Sequence, residues 1–192
     1  MATRPIVKNS LIIAVSLAIA LLAMNGEYWM KHAKYLFSKE DLALNGDERM
    51  EPDMLLIEHL GIKAPIVEAE SNNETGFQKA LSRGVVRYPN GARVGELGNV
   101  YIFGHSSDYL WKEGEYRTVF ALLPKISVGD IIVASDQAGR VFRYTVRETK
   151  VISPNDTSVL SQYGRLERIL TLQASYPVGT ALKRFIVIAQ IE

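Results

Sequence analysis

After Pro52 the chain breaks into short runs rich in β-branched and aromatic residues, separated by turn-forming residues, and this pattern restricts the fold more than any other feature. Seven runs read as strands: 55–57, 64–67, 100–103, 131–134, 142–147, 168–172 and 185–191. Asn90-Gly91, Gly95, Gly98, Gly129-Asp130 and Ala138-Gly139 fall between them as turns. Only 75–82 and 156–164 carry a helical pattern. Many short strands with few helices predict a mainly β domain, a closed or nearly closed barrel.

The 192 residues, 47% hydrophobic and 22% charged, have the composition of a folded chain, enough for one core once the N-terminus is set aside. A net charge of +1 gives no basic field for a phosphate backbone, so nucleic acid is not an expected partner. With no cysteine there are no disulfides or thiolate metal sites. His32, His59 and His105 are scattered without ligand spacing, so no metal or other cofactor is expected.

Residues 11–24 (LIIAVSLAIALLAM) are almost continuously apolar and follow Arg4 and Lys8. The strict apolar core is shorter than the roughly 20 residues that span a bilayer, so a cleaved signal-peptide core and a buried helix remain alternatives. Flanking Ile6, Val7, Tyr28 and Trp29 lengthen it, the two aromatics sit where an interfacial belt would, and no small-x-small cleavage site follows. These features favour a retained anchor. The positive-inside bias then leaves the N-terminus in the cytoplasm and turns the rest outward, a single-pass plasma-membrane protein with an extracytoplasmic domain. The expected organisation is a cytoplasmic stub and anchor over 1–30, a helical spacer over 31–53 and a catalytic domain over 54–192.

Two motifs carry the chemistry. Thr171-Leu172-Gln173-Ala174-Ser175-Tyr176-Pro177-Val178-Gly179-Thr180, followed by Arg184, resembles the sortase signature TLxTC-x-P-x-G-T with its downstream arginine. Upstream, the segment from Gly95 through Asn99 to Gly104-His105-Ser106 resembles the family's GExGNxxIxGHS segment, which carries its histidine. Pro65-Ile66-Val67, Gly84-Val85-Val86-Arg87-Tyr88-Pro89, Val119-Phe120 through Leu123, and Val128-Gly129-Asp130 are also similar to sortase sequence in the same order, so the resemblance covers about 54–192.

The resemblance implies an eight-stranded sortase barrel and acyl transfer at an LPxTG-type sorting signal on a surface protein. In the family a cysteine attacks the Thr–Gly carbonyl and a cell-envelope amine resolves the thioester. A histidine moves protons, and an arginine supports substrate and oxyanion. Carried over, the catalytic candidates are Ser175, His105 and Arg184. Thr171, Ala174, Tyr176 and Trp111 are the candidate substrate contacts. Trp111 lies with Tyr109 and Tyr116 in an aromatic loop after Ser106, and Asp108 there is a candidate partner for His105. The resemblance makes residues 148–167 one wall over the Leu-Pro end of the signal.

Physical chemistry gives these three residues the same capacities independently. An imidazole with an ordinary pKa of about 6.5 suits proton transfer near neutrality. A guanidinium can donate to an oxygen gaining charge. Pro177 and Gly179 break the strand beside Ser175 and expose its end. The departure is Ser175 itself, because a hydroxyl needs a closely bonded base where a thiolate needs only pKa tuning. Ala174 also stands where the family has threonine. An engineered knock-out, a natural inactive relative and a natural serine enzyme are all compatible with that residue. A binding module that grips the peptide without turnover is the alternative function. An unrelated serine hydrolase lacks its Gly-x-Ser-x-Gly elbow here.

Overall fold

Alternation in the run RILTLQASY builds the strand on which the candidate site depends. Leu170, Leu172 and Ala174 are buried in the main core, and Thr171 and Gln173 between them point to the other face. The computed structural model describes residues 49–107, 115–161 and 166–191. The expected anchor and most of the spacer lie outside these residues, as do Asp108, Tyr109 and Trp111. Among the described residues no helix is long and apolar enough to cross a membrane.

Eight strands close into a barrel: β1 (Met54–Ile57), β2 (Ile62–Glu68), β3 (Val85–Arg87), β4 (Gly98–Gly104), β5 (Ile131–Ser135), β6 (Val141–Ile152), β7 (Arg168–Tyr176) and β8 (Lys183–Gln190). Their order around the barrel is β1-β2-β3-β4-β7-β8-β6-β5, with β5 returning to β1. Two pairs are parallel, β2 with β3 and β4 with β7, and the others are antiparallel. A parallel pair needs a crossover, and α1 (Glu74–Leu81) supplies the one between β2 and β3. Asn73 caps α1 by accepting from the Gly76 amide at 2.8 Å.

Closure removes the sheet edges and leaves the inward residues to fill the barrel. Leu55, Ile57, Val85, Val100, Ile102, Phe120, Leu123, Ile132, Leu170, Leu172 and Val187 do so, all fully buried. Tyr144 joins them, and its hydroxyl accepts from the Gly95 amide at 3.0 Å, so its one polar atom is satisfied. The register of β6 against β8 shifts between Val146 and Glu148, a bulge in the longest strand.

Two sequence expectations change. The segment Val85–Arg87 is a strand although three residues are too few to show a period. Within 156–164 the described residues form only the one-turn 3-10 helix Ser158–Leu160, because Asp156 accepts from the Ser158 amide at 3.0 Å and diverts the chain into a local turn. Residues 49–53 are tied to the barrel: the Met50 amide donates to Gly139 O at 3.2 Å, the Asp53 amide to Asp136 O at 3.1 Å, and Ser135 Oγ to Glu51 O at 2.6 Å. Hydrogen bonding with the barrel therefore begins ahead of residue 54.

Candidate active site at one end of β4, β7 and β8

Strand register assembles the candidate residues. Ser175 pairs directly with Arg184 across β7 and β8. On the other side of β7, Gly104 pairs with Ala174. Ser175 and Arg184 thus share one row, and His105 stands one residue past the last paired position of β4, at the end of the barrel where β4 and β7 finish and β8 begins. Each is half-buried. The row is on the outer face, since Ser175 alternates with the core residue Ala174.

The local sequence holds each member in place. Gly104 is required by packing: a β-carbon there would lie 2.7 Å from Phe120 Cδ2 and 3.1 Å from Val85 Cγ1, both on fully buried side chains. The Phe120 amide donates to His105 O at 2.9 Å and fixes the backbone just past the strand end. Gly104→Ala is expected to cost about 1–3 kcal/mol in chemical denaturation, as overpacking does in a closed core. Arg184 Nη1 donates to Ala181 O and Lys183 O, both at 3.1 Å, which holds the guanidinium near the start of its strand. After Tyr176 the chain turns at Pro177 through a cis peptide, and Thr180 bonds back to Pro177 O through its amide and hydroxyl.

Outer-face rows lead away from this one. The next contains Phe103, Gln173 and Ile186, and the one beyond contains Tyr101, Thr171 and Ile188. Tyr101 donates to Gln173 Oε1 at 2.6 Å, and burial pushes its phenol well above the usual range against the opposing pull of Arg184. The Ser158–Leu160 turn packs on this strip, with Val159 against Tyr101 and Ile186. On the flank, Phe77 of α1 meets Phe103 edge-on at 5.3 Å. The strip is therefore a mostly apolar face with a charged end, on which Tyr101, Thr171 and Ile186 are buried while Phe103 and Gln173 are half-buried.

Thr171 and Ala174, expected to touch substrate, are each 1% exposed, so their side chains stand behind the surface. Thr171 donates to Asn99 Oδ1 at 2.8 Å, and Ala174 faces the core. Tyr176 packs against that core at the barrel end, 5.9 Å from the Phe185 ring. Tyr101, Gln173 and Asn99 were not singled out as site residues. The first two alternate with His105 and Ser175 along their strands, a period-2 signal present in the sequence. A cavity of about 340 Å³ opens at the opposite end of the barrel, lined by Asp53, Glu68, Arg87, Arg93, Asp136 and Arg140 among others. Its charges are largely paired internally, with Arg87–Glu68 and Arg140–Asp136 each at 2.6 Å. It is remote from Ser175 and Arg184.

The Sortase domain family model matches residues 55–192, the whole barrel. The chain belongs to the sortase family. Among solved structures, the Clostridium perfringens Sortase D5 transpeptidase is 26% identical, with 88% of this chain and 94% of that chain covered and a TM-score of 0.60. Sortase A from Corynebacterium diphtheriae is 22% identical over 76% of this chain and 62% of that one, with a TM-score of 0.60. Sortase E from Streptomyces avermitilis is 24% identical over 74% and 88%, with a TM-score of 0.56. No curated protein matches. The eight-stranded sortase barrel expected from the sequence is the observed fold, and sortases generally are transpeptidases.

Proposed function

We propose that this sortase acts on an LPxTG-type sorting signal of a surface protein and transfers its acyl part to a cell-envelope amine. The observation that carries this reading is the pairing of Ser175 with Arg184 across β7 and β8, with His105 directly after the last paired residue of β4. In the reaction, residue 175 passes its proton to His105 as the oxygen or sulfur on its β-carbon attacks the Thr–Gly carbonyl. Arg184 donates to the oxygen that gains charge, and His105 protonates the leaving amine as the C–N bond breaks. The incoming amine then gives its proton to His105, attacks the acyl-enzyme and frees residue 175, which takes that proton back from His105. Gln173 and Phe103, half-buried beside Ser175 and His105, are proposed as peptide contacts, and Trp111 as a further contact from its loop.

Ser175 favours a second reading, a module that binds sorting peptides without turnover, because a hydroxyl is a poor nucleophile without a close base. The test is a fluorogenic LPxTG-type peptide assay on the full chain with serine and with cysteine at 175. Arg184→Ala in the active form is expected to lower kcat about 10²–10³-fold, the usual cost of one oxyanion donor. Unchanged kcat and unchanged peptide affinity would remove Arg184 from the site. The apolar segment 11–24 is proposed to anchor the enzyme with its domain outside the cell. Protease added to intact cells should remove the domain and spare the N-terminus, whereas a mature chain starting after Ala20 or Ala23 would contradict the anchor.

A further inference from the structure

We propose that Asn99 is a positioning residue for the peptide groove, holding residues 158–161 as a wall across β4, β7 and β8. The proposal rests on the sortase reading above and adds what sets the grip on peptide residues ahead of the scissile bond.

Asn99 is 4% exposed and reaches three elements at once. Its Nδ2 donates to Val159 O at 3.1 Å and to Ser161 O at 3.3 Å, while its Oδ1 accepts from Thr171 Oγ1 at 2.8 Å. One amide thus ties β4 to β7 and both to the segment sixty residues further along. That segment has little of its own to hold it. Its 3-10 turn has three residues, with Leu160 N bonded to Thr157 O at 3.0 Å and Ser161 N to Ser158 O at 3.2 Å, and such turns do not persist alone. Its carbonyls at 159 and 161 depend on Asn99, and Val159 rests on Tyr101 and Ile186.

Distance along the strand links this clamp to substrate. Thr171 precedes Ser175 by four residues, about 13 Å of strand. An extended peptide with its scissile carbonyl at Ser175 covers the same length with about four residues. Because Val159 already covers Tyr101 and Ile186, a sorting signal running upstream from Ser175 would meet the wall within that length. An amide is required because it supplies two N–H donors and one acceptor together; a carboxylate would face two carbonyls with no donor.

The experiment compares the full chain with Asn99→Ala and with Thr171→Val, the second keeping shape and removing only the hydroxyl that steadies the amide. Amide hydrogen exchange at Leu160 and Ser161 is measured with anisotropy of a labelled LPxTG-type peptide. Exchange should accelerate about 30-fold in Asn99→Ala, which loses two bonds to the segment worth about 1 kcal/mol each, and about 3-fold in Thr171→Val, which only loosens the amide. Exchange at the core residues Leu172 and Val187 should not change. Peptide affinity should weaken by similar factors, and in a Ser175→Cys background KM should rise while kcat holds. Unchanged exchange at 160 and 161 in both variants overturns the clamp and leaves the sortase reading standing. Faster exchange with unchanged peptide affinity overturns the groove role. If the parent chain binds no sorting peptide while exchange responds, the substrate reading fails and the groove role with it.

Discussion

Ser175→Cys is expected to raise transpeptidation of an LPxTG-type peptide by about 10²-fold or more over the serine form. The scaffold already aims the β-carbon substituent of residue 175 outward, paired with Arg184 on one side and with His105 just past the end of β4 on the other. Losing a nucleophile costs a hydrolase on the order of 10⁴–10⁶ in rate. Ala174 faces the core with 1% exposure, so its departure from the family threonine acts through packing, at about 10–100-fold by analogy with the loss of supporting contacts. The gain from sulfur therefore exceeds the loss from Ala174. The new thiol should also react with alkylating reagents at a rate that follows its thiolate fraction. A serine form that turns over peptide and loses that activity on Ser175→Ala would instead make this a serine enzyme.

In that cysteine background, His105→Ala should remove the gain, lowering kcat/KM by about 10²–10⁴-fold, the range supplied by general acid–base catalysis. The loss should fall on acyl transfer more than on peptide affinity, because His105 lies beyond the last paired residues of β4, at the end of the strip. The fold should survive, since residue 105 is only half-buried and is held through its backbone carbonyl by the Phe120 amide. Equal turnover in single and double variants would assign the proton transfer elsewhere.

The barrel was legible where one strand face is core. In β7, Leu170 and Leu172 alternate with outward residues, whereas β4 and β8 carry the continuous apolar runs VYIF and FIVIA, buried over most of their length. Legibility ended at strand ends. Residues 173–176 continue β7, yet Gln173 and Ser175 are polar and Ala174 is small, so the run lost its β signal before the structure ends the strand. Val85–Arg87 was too short to show a period. Motifs named His105, Ser175 and Arg184, but their meeting at one end of the barrel depends on a parallel β4–β7 pairing and an antiparallel β7–β8 pairing, which are long-range facts. Asn99 stood inside a quoted motif with no visible task. Its partners at 159 and 161 are reached only through the fold.

The most direct measurement is the intact mass of the Ser175→Cys protein after incubation with an LPxTG-type peptide and no amine acceptor. The row predicts an adduct equal to the peptide segment through threonine, joined to residue 175 as a thioester and discharged on adding a glycine-based amine. A folded cysteine variant that shows no adduct with any of a panel of sorting peptides would contradict the transpeptidase assignment.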